Sequence, residues 1–100
     1  MEPMLTKFLP GIKQLMLKYG VERAFLFGSG AKGDMDSESD VDFIIKFPES
    51  MDFTTYADSY FQLADALEAL LQRKVDLVTE KTLKNPYLVQ NINWHKVQLI

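Results

Sequence analysis

The stretch GSGAKG at residues 28–33, followed by SDVDF at residues 39–43, is the most informative part of this chain. The first motif is a turn of small residues whose backbone amides are open to a phosphate group. If the second motif forms a strand, Asp40 and Asp42 point to the same face, because side chains alternate along a strand. Two carboxylates this close repel each other, and a divalent cation is the usual remedy. A phosphate-binding turn beside a magnesium site indicates phosphoryl or nucleotidyl transfer.

A third carboxylate belongs to this set. Residues 74–78 predict a short strand in which Asp76 lies between two apolar residues. The apolar neighbours share one face of the strand, and Asp76 takes the other. Metal ions that serve both the attacking hydroxyl and the triphosphate need carboxylates from more than one strand. Asp40, Asp42 and Asp76 are therefore candidates to converge.

The two motifs together resemble the signature of the nucleotidyltransferase superfamily that includes DNA polymerase beta. That signature is Gly-Ser, a basic residue and Gly, then Ser-Asp-x-Asp and an apolar residue. AFLF at residues 24–27 and KNPYL at residues 84–88 look more specifically like the minimal nucleotidyltransferases, or MNT domains, of bacteria and archaea. These include the MntA-like antitoxins. The likeness extends from about Leu9 to about Leu88.

The resemblance implies roles for particular residues. Asp40 and Asp42 become shared ligands of two magnesium ions, and Asp76 becomes the ligand of the catalytic ion and the base for the acceptor hydroxyl. Gly28 and Ser29 would hold the β- and γ-phosphates of ATP. The implied fold is the polymerase beta-like nucleotidyltransferase fold.

Three further positions bear on the nucleotide. Lys32 occupies a position where many relatives carry Arg, and lysine offers a point charge in place of a bidentate fork. Gly30 replaces a larger residue found in many relatives. Ser39 is predicted to cap a turn and to steady Asp40, and it is counted with the nucleotide-binding residues. The two departures concern triphosphate affinity more than the metal site.

The activity implied by the resemblance is transfer of AMP from ATP to a hydroxyl acceptor. MNT domains commonly accompany a helical HEPN protein as a toxin–antitoxin pair, in which the MNT protein adenylylates a tyrosine of the HEPN RNase. A HEPN toxin is therefore the expected partner. Two alternatives remain open: a nucleotidyltransferase acting on a small molecule, and a non-catalytic antitoxin that binds and occludes its partner.

Three other motif interpretations fail on spacing. The Gly-x-Gly-x-x-Gly of a dinucleotide site must open a helix of about a dozen residues, but only residues 34–39 precede the next strand. A P-loop needs Lys and then Ser or Thr after its second Gly, whereas Asp34 follows Gly33. A calcium loop starting at Asp34 would have Ser39 at the required Gly and Ile45 at the required Glu.

The composition indicates one small globular domain over residues 1–100. The chain is 47% hydrophobic and 25% charged, has no cysteine and carries a net charge of −3. This charge disfavours avid binding to nucleic acid, which needs clustered Lys and Arg. Neither a signal peptide nor a membrane span is expected, so we predict a cytoplasmic protein and leave a homo- or hetero-oligomer open.

The periodicity predicts an α/β (α+β) fold with a small mixed sheet flanked by helices. Pro10-Gly11 interrupts the first helical stripe, so the first helix is expected to begin near Pro10 and to end before Gly20. The full set of expected elements is a helix at 10–19, strands at 21–27 and 40–47, a helix at 53–71, a strand at 74–78 and a short helix ending near 92.

Apolar residues outside the strands divide into two groups. Four aromatic residues near the start of the second long helix are assigned to the core and not to a base-stacking platform: Phe53, Tyr56, Tyr60 and Phe61. The apolar residues from Trp94 to Ile100 either cover the core or present a patch to a partner. His95 is interpreted as a partly packed surface residue.

Overall fold

The computed structural model describes residues 3–28, 40–82 and 96–100. Within these ranges a four-stranded sheet has the strand order β3-β2-β1-β4. β1 is antiparallel to β2 and β4, whereas β2 and β3 are parallel. The predicted α+β fold with a mixed sheet is confirmed. The elements are α1 (Pro3–Lys18), β1 (Arg23–Phe27), β2 (Val41–Lys46), α2 (Phe53–Leu71), β3 (Val75–Thr79), a 3-10 turn (Glu80–Thr82) and β4 (Val97–Gln98).

The two faces of the sheet have different surroundings. One face packs against α1 and α2 to form the main core, because the apolar side chains of each strand alternate toward the helices. The second face carries a smaller cluster of Phe25 and Ile44 with Phe27 beside them. Buried members of the main core include Leu5, Ile12, Met16, Ala24, Leu26, Val41, Phe43, Ile45, Leu63, Leu67, Leu71, Val75 and Leu77.

Helix α1 begins at Pro3, not near Pro10 as the sequence predicted. Pro10 lies exposed inside the helix, where it removes one backbone hydrogen bond. Leu5, in the turns before it, is completely buried in the core. The burial of these early turns offsets the lost hydrogen bond, which local sequence signals do not report.

The end of α1 follows the prediction. Gly20 has a positive φ of 79°. Its N–H donates to the carbonyl oxygen of Leu17 at 3.1 Å, and the N–H of Val21 donates to that of Met16 at 2.9 Å. These two bonds form a Schellman motif, in which a residue without a Cβ is favoured.

Helix α2 begins and ends where the periodicity predicted. The Asp52 carboxylate caps it by accepting the N–H of Thr55 at 2.7 Å. Its apolar stripe continues into the core through Leu63, Leu67 and Leu71.

The assignment of four α2 aromatics to the core is wrong for two of them. Tyr56 and Tyr60 are partly buried against the core, as predicted. Phe53 is 84% exposed and Phe61 is 66% exposed. Phe53 is the first residue of α2, and Phe61 lies off the helix face that carries the buried Leu63, Leu67 and Leu71. Both side chains line a groove with β3, an edge strand of the described sheet.

The short strand β4 was not predicted. Val97 and Gln98 pair with Leu26 and Phe25 of β1. Leu99 is buried, so this part of the C-terminal apolar segment covers the core. The predicted short helix ending near 92, with Trp94 and His95, lies outside the described residues.

The described ranges contain two α-helices, α1 and α2. Neither of the helices there combines the length and apolarity that crossing a bilayer requires.

Candidate active site

Two of the three predicted carboxylates lie side by side on adjacent parallel strands. Asp42 of β2 and Asp76 of β3 are register partners, and neighbouring strands are about 4.8 Å apart. Their apolar neighbours point into the main core, so both carboxylates lie on the second face of the sheet. Asp76 is exposed and Asp42 is half-buried.

The third carboxylate, Asp40, lies immediately before β2 and is exposed. Between it and Asp42, the N–H of Val41 donates to the carbonyl oxygen of Lys74 at 3.0 Å. This bond extends the pairing of β2 with β3 to the end of the sheet where the acids lie. Asp40 acts electrostatically on Asp42.

The electrostatics of this cluster centre on Asp42. Burial, and after it the charges of Asp76 and Asp40, raise the pKa of its carboxyl from 3.8 to about 6. Both causes disfavour the ionised form. The folded chain thus holds an acidic group under repulsion, a condition typical of functional sites.

Gly28 is in direct contact with this cluster. It follows β1, whose Phe27 pairs with Asp42, and its φ of +69° lies in the left-handed region. A Cβ at this position would lie 2.6 Å from Oδ2 of Asp42. Gly28 therefore has a role that the sequence did not reveal: it leaves space for the Asp42 carboxylate. The sequence had assigned it only to phosphate binding.

The remaining predicted site residues lie outside the described residues. These are Ser29, Lys32 and Ser39. The structure therefore brings together Gly28, Asp42 and Asp76, with Asp40 beside them.

The donor set suits a hard divalent cation, because carboxylate oxygens are the ligands that Mg²⁺ prefers. Within residues 3–28, 40–82 and 96–100, no three acidic, histidine or cysteine side chains converge closely enough to enclose a metal ion. The residues fit magnesium by donor chemistry and by charge, and a cation between them would relieve the repulsion on Asp42.

A groove of about 490 Å³ extends from Asp76 along α2 and β3. The Tyr60 hydroxyl donates to the carbonyl oxygen of Leu77. Burial raises the pKa of Tyr60, and the charge of Asp76 raises it further.

The sequence did not reveal this groove. Its signal was a run of aromatic residues at helical spacing, which core packing explains equally well. We call it the aromatic groove; it is lined by Phe53, Tyr56, Ala57, Tyr60, Phe61 and 76–79.

A small mixed sheet that presents carboxylates from two adjacent strands beside a glycine turn is the architecture of a nucleotidyltransferase. The sequence pattern of the nucleotidyltransferase domain family matches residues 5–98. The chain belongs to this family, which confirms the predicted family and the predicted class of enzyme.

Two curated archaeal relatives are similar over most of the chain. A Methanocaldococcus jannaschii protein assigned as a protein adenylyltransferase is 40% identical over 80 residues, which cover 80% of this chain and 78% of the relative. The protein adenylyltransferase MntA of Thermococcus cleftensis is 36% identical over 73 residues, with 73% and 70% covered.

Solved structures share the fold. One described as a minimal nucleotidyltransferase has a TM-score of 0.72 at 28% identity and covers 97% of this chain and 95% of its own. A Shewanella oneidensis MNT antitoxin, in complex with a tri-AMPylated HEPN toxin, gives a structural match with a TM-score of 0.67 at 22% identity, covering 95% and 71%. At 22% identity, the similarity to the antitoxin shows a shared fold alone.

Proposed function

We propose that this chain is a magnesium-dependent adenylyltransferase that moves AMP from ATP to a hydroxyl of a HEPN-domain partner and thereby acts as its antitoxin. The observation that carries the proposal is the juxtaposition of Asp42 and Asp76 on adjacent strands, with Gly28 against Asp42. We further propose that residues 1–100 form one domain and that it works in the cytoplasm.

In this proposal Asp40, Asp42 and Asp76 would hold the magnesium ions. The ions, when bound, would lower the pKa of the acceptor hydroxyl and balance charge on the triphosphate. Ionised Asp42 is required for this, so its raised pKa ties metal binding to pH.

The role of Asp76 rests on its exposure, and the roles of the residues in the turn rest on the family resemblance. Asp76 is exposed on β3 and takes the proton of the acceptor hydroxyl. The new bond joins the acceptor oxygen to the α-phosphorus, the bond from that phosphorus to the bridging oxygen breaks, and pyrophosphate leaves. From the family resemblance we assign Gly28 and Ser29 to binding of the β- and γ-phosphates, and Lys32 and Ser39 to binding of the nucleotide.

The proposed partner rests on the relatives. The archaeal relative at 36% identity is a protein adenylyltransferase, and the one at 40% is assigned as one, which favours a protein acceptor. The MNT antitoxin of Shewanella oneidensis has an AMPylated HEPN toxin as its partner. A tyrosine as the acceptor follows from the family resemblance.

The experiment incubates the chain, Mg²⁺ and ATP labelled at the α-phosphate with a lysate of the source cells, and compares wild type with Asp42→Ala. A labelled protein band is expected with wild type alone, and mass spectrometry of the band identifies the acceptor. ATP labelled at the γ-phosphate should give no band, which separates AMP transfer from phosphoryl transfer. Glu80→Gln is the matched control, since it neutralises a carboxylate that is already paired with Arg23.

The absence of a band with the wild-type chain would contradict adenylyl transfer to a protein. In that case, neutralisation of a HEPN toxin by both wild type and Asp42→Ala would establish the occluding antitoxin instead.

A further inference from the structure

The aromatic groove exposes apolar surface next to the catalytic acids. Among the described residues, the large apolar side chains that stand mostly in solvent are Leu17 (65%), Phe53 (84%) and Phe61 (66%). Phe53 and Phe61 line this one groove, whereas Leu17 lies on α1. Apolar surface that is exposed and contiguous commonly marks a binding site.

The groove is continuous with the active site through Asp76. Asp76 lines one end, and the rest of that wall is β3, the edge strand of the described sheet. A ligand in the groove therefore contacts the carboxylate that, in the proposed function, takes the acceptor proton. This position favours the acceptor over the nucleotide as the occupant.

The edge of β3 is not open for strand addition. The N–H of Val75 donates to Oε1 of Glu68 at 3.2 Å, and the carbonyl oxygen of Leu77 accepts the Tyr60 hydroxyl. Side chains of α2 thus satisfy backbone groups that an added strand would need. Recognition in the groove has to use side-chain packing on the aromatic rings.

The charge of the groove argues against an anionic occupant. Asp76 is the charged residue among the described residues that line it, and the others are apolar, aromatic or hydroxyl-bearing. The described lining residues include no Lys or Arg that could pair with the phosphates of a polynucleotide, whereas an apolar protein segment needs no such partner. The ring pair of Tyr60 and Phe61, with centroids 5.3 Å apart, offers a rigid surface for apolar side chains.

We propose that the aromatic groove binds the segment of the acceptor protein that carries the modified hydroxyl, with apolar residues next to that hydroxyl packed on Phe53 and Phe61. This inference rests on the proposed function and adds the acceptor-binding surface to it. The groove aligns the hydroxyl with Asp76, and ATP binds elsewhere on the site.

The test measures AMP transfer to the acceptor protein, purified after its identification as the labelled band, with Phe53→Ser and Phe61→Ser. Leu17→Ser is the matched control because it removes an apolar side chain that is as exposed as Phe61 but does not line the groove. We expect the KM for the acceptor to rise roughly tenfold or more in each groove variant, since apolar anchors dominate interface energies. The KM for ATP and the kcat should stay at the wild-type values, and Leu17→Ser should change neither KM. Binding of the purified acceptor without ATP should weaken by the same factor.

The possible failures are distinguishable. If the wild-type chain labels no protein, the proposed function fails and this inference fails with it. If wild type transfers AMP and both groove variants keep the wild-type KM for the acceptor, the inference alone is overturned. A rise in the KM for ATP would overturn it in favour of a base-stacking site. Circular dichroism of each variant verifies that it folds.

Discussion

On the second face of the sheet, the charged side chains are arranged differently at the two ends. At one end, which we call the paired end, Arg23 forms two hydrogen bonds to Glu80 at 3.0 and 2.9 Å, and Lys46 pairs with Glu22 at 3.2 Å. Each charge there has a partner of opposite sign. These pairs lie at the start of β1 and the end of β2.

The other end, which we call the acidic end, consists of Asp40, Asp42 and Asp76. It lies four residues along β2 from the paired end, or about 13 Å at the rise of a strand. In the described part of the chain no cation neutralises these acids in a salt bridge, and the pKa of Asp42 is raised. The repulsion among these acids lowers the stability of the fold at the acidic end. Such a local loss of stability is common at functional sites.

The largest expected effect comes from removing the charge at the centre of the acidic end. Asp42→Asn should lower AMP transfer on the order of 1,000-fold, because several kcal/mol of charge stabilisation by metal are lost. The same variant should raise the free energy of unfolding of the metal-free chain by about 1 kcal/mol, a value discounted for solvent screening. Transfer assays and urea unfolding in EDTA measure the two effects. Unaltered transfer would contradict the metal assignment.

The next effect comes from Gly28→Ala compared with Gly20→Ala. Both glycines have positive φ, +69° and +79°, so each substitution should cost about 1–2 kcal/mol of stability. Only the new Cβ at position 28 collides with a carboxylate, at 2.6 Å from Asp42, while that at position 20 meets the flexible end of Met51 at 3.1 Å. Gly28→Ala should therefore also lower transfer about 100-fold, whereas Gly20→Ala should retain it. Equal rates of AMP transfer in the two variants would show that the space that Gly28 leaves for Asp42 does not matter for activity.

A third effect is the pH dependence of the acidic end. The pKa of Asp42 is about 6 in the folded chain against an ordinary 3.8. Between these values the folded chain holds a proton that the unfolded chain has released, so this group lowers the free energy of unfolding as pH rises from about 4 to 6. Thermal unfolding in EDTA should show this decline in wild type and a smaller one in Asp42→Asn.

Magnesium should act in the opposite direction. It binds the ionised carboxylates, so added Mg²⁺ should raise the unfolding temperature of wild type at pH 7.5 and have little effect at pH 4.5. Asp42→Asn should lose most of this increase at pH 7.5. An equal increase at both pH values would indicate binding away from Asp42.

The smallest effect is expected at the paired end. Arg23 and Glu80 are partly exposed, with side chains 44% and 30% accessible, so a double-mutant cycle of Arg23→Gln and Glu80→Gln should show only a small coupling energy. Transfer should stay at the wild-type rate. A loss of AMP transfer in either variant would mean that the paired end also contributes to activity. The functional distinction between the two ends would then be wrong.

The sequence by itself determined the features that depend on short-range geometry. The position of Asp42 on the face opposite its apolar neighbours follows from the two-residue repeat of a strand. The end of α1 at Gly20 follows from the need for a positive φ, and the bounds of α2 follow from its helical stripe. Family membership also followed, because the motif fixes residue types at close spacing.

Only the tertiary structure decided which chain segments meet. The alignment of separate strands sets Asp42 opposite Asp76. It also brings Gly28 so close to Asp42 that no Cβ fits between them. The exposure of Phe53 and Phe61 depends on where the sheet ends beside α2. Periodicity states which face of an element is apolar, but what that face packs against is set by long-range contacts. The acids were therefore foreseeable as a set, whereas the aromatic groove beside them was not.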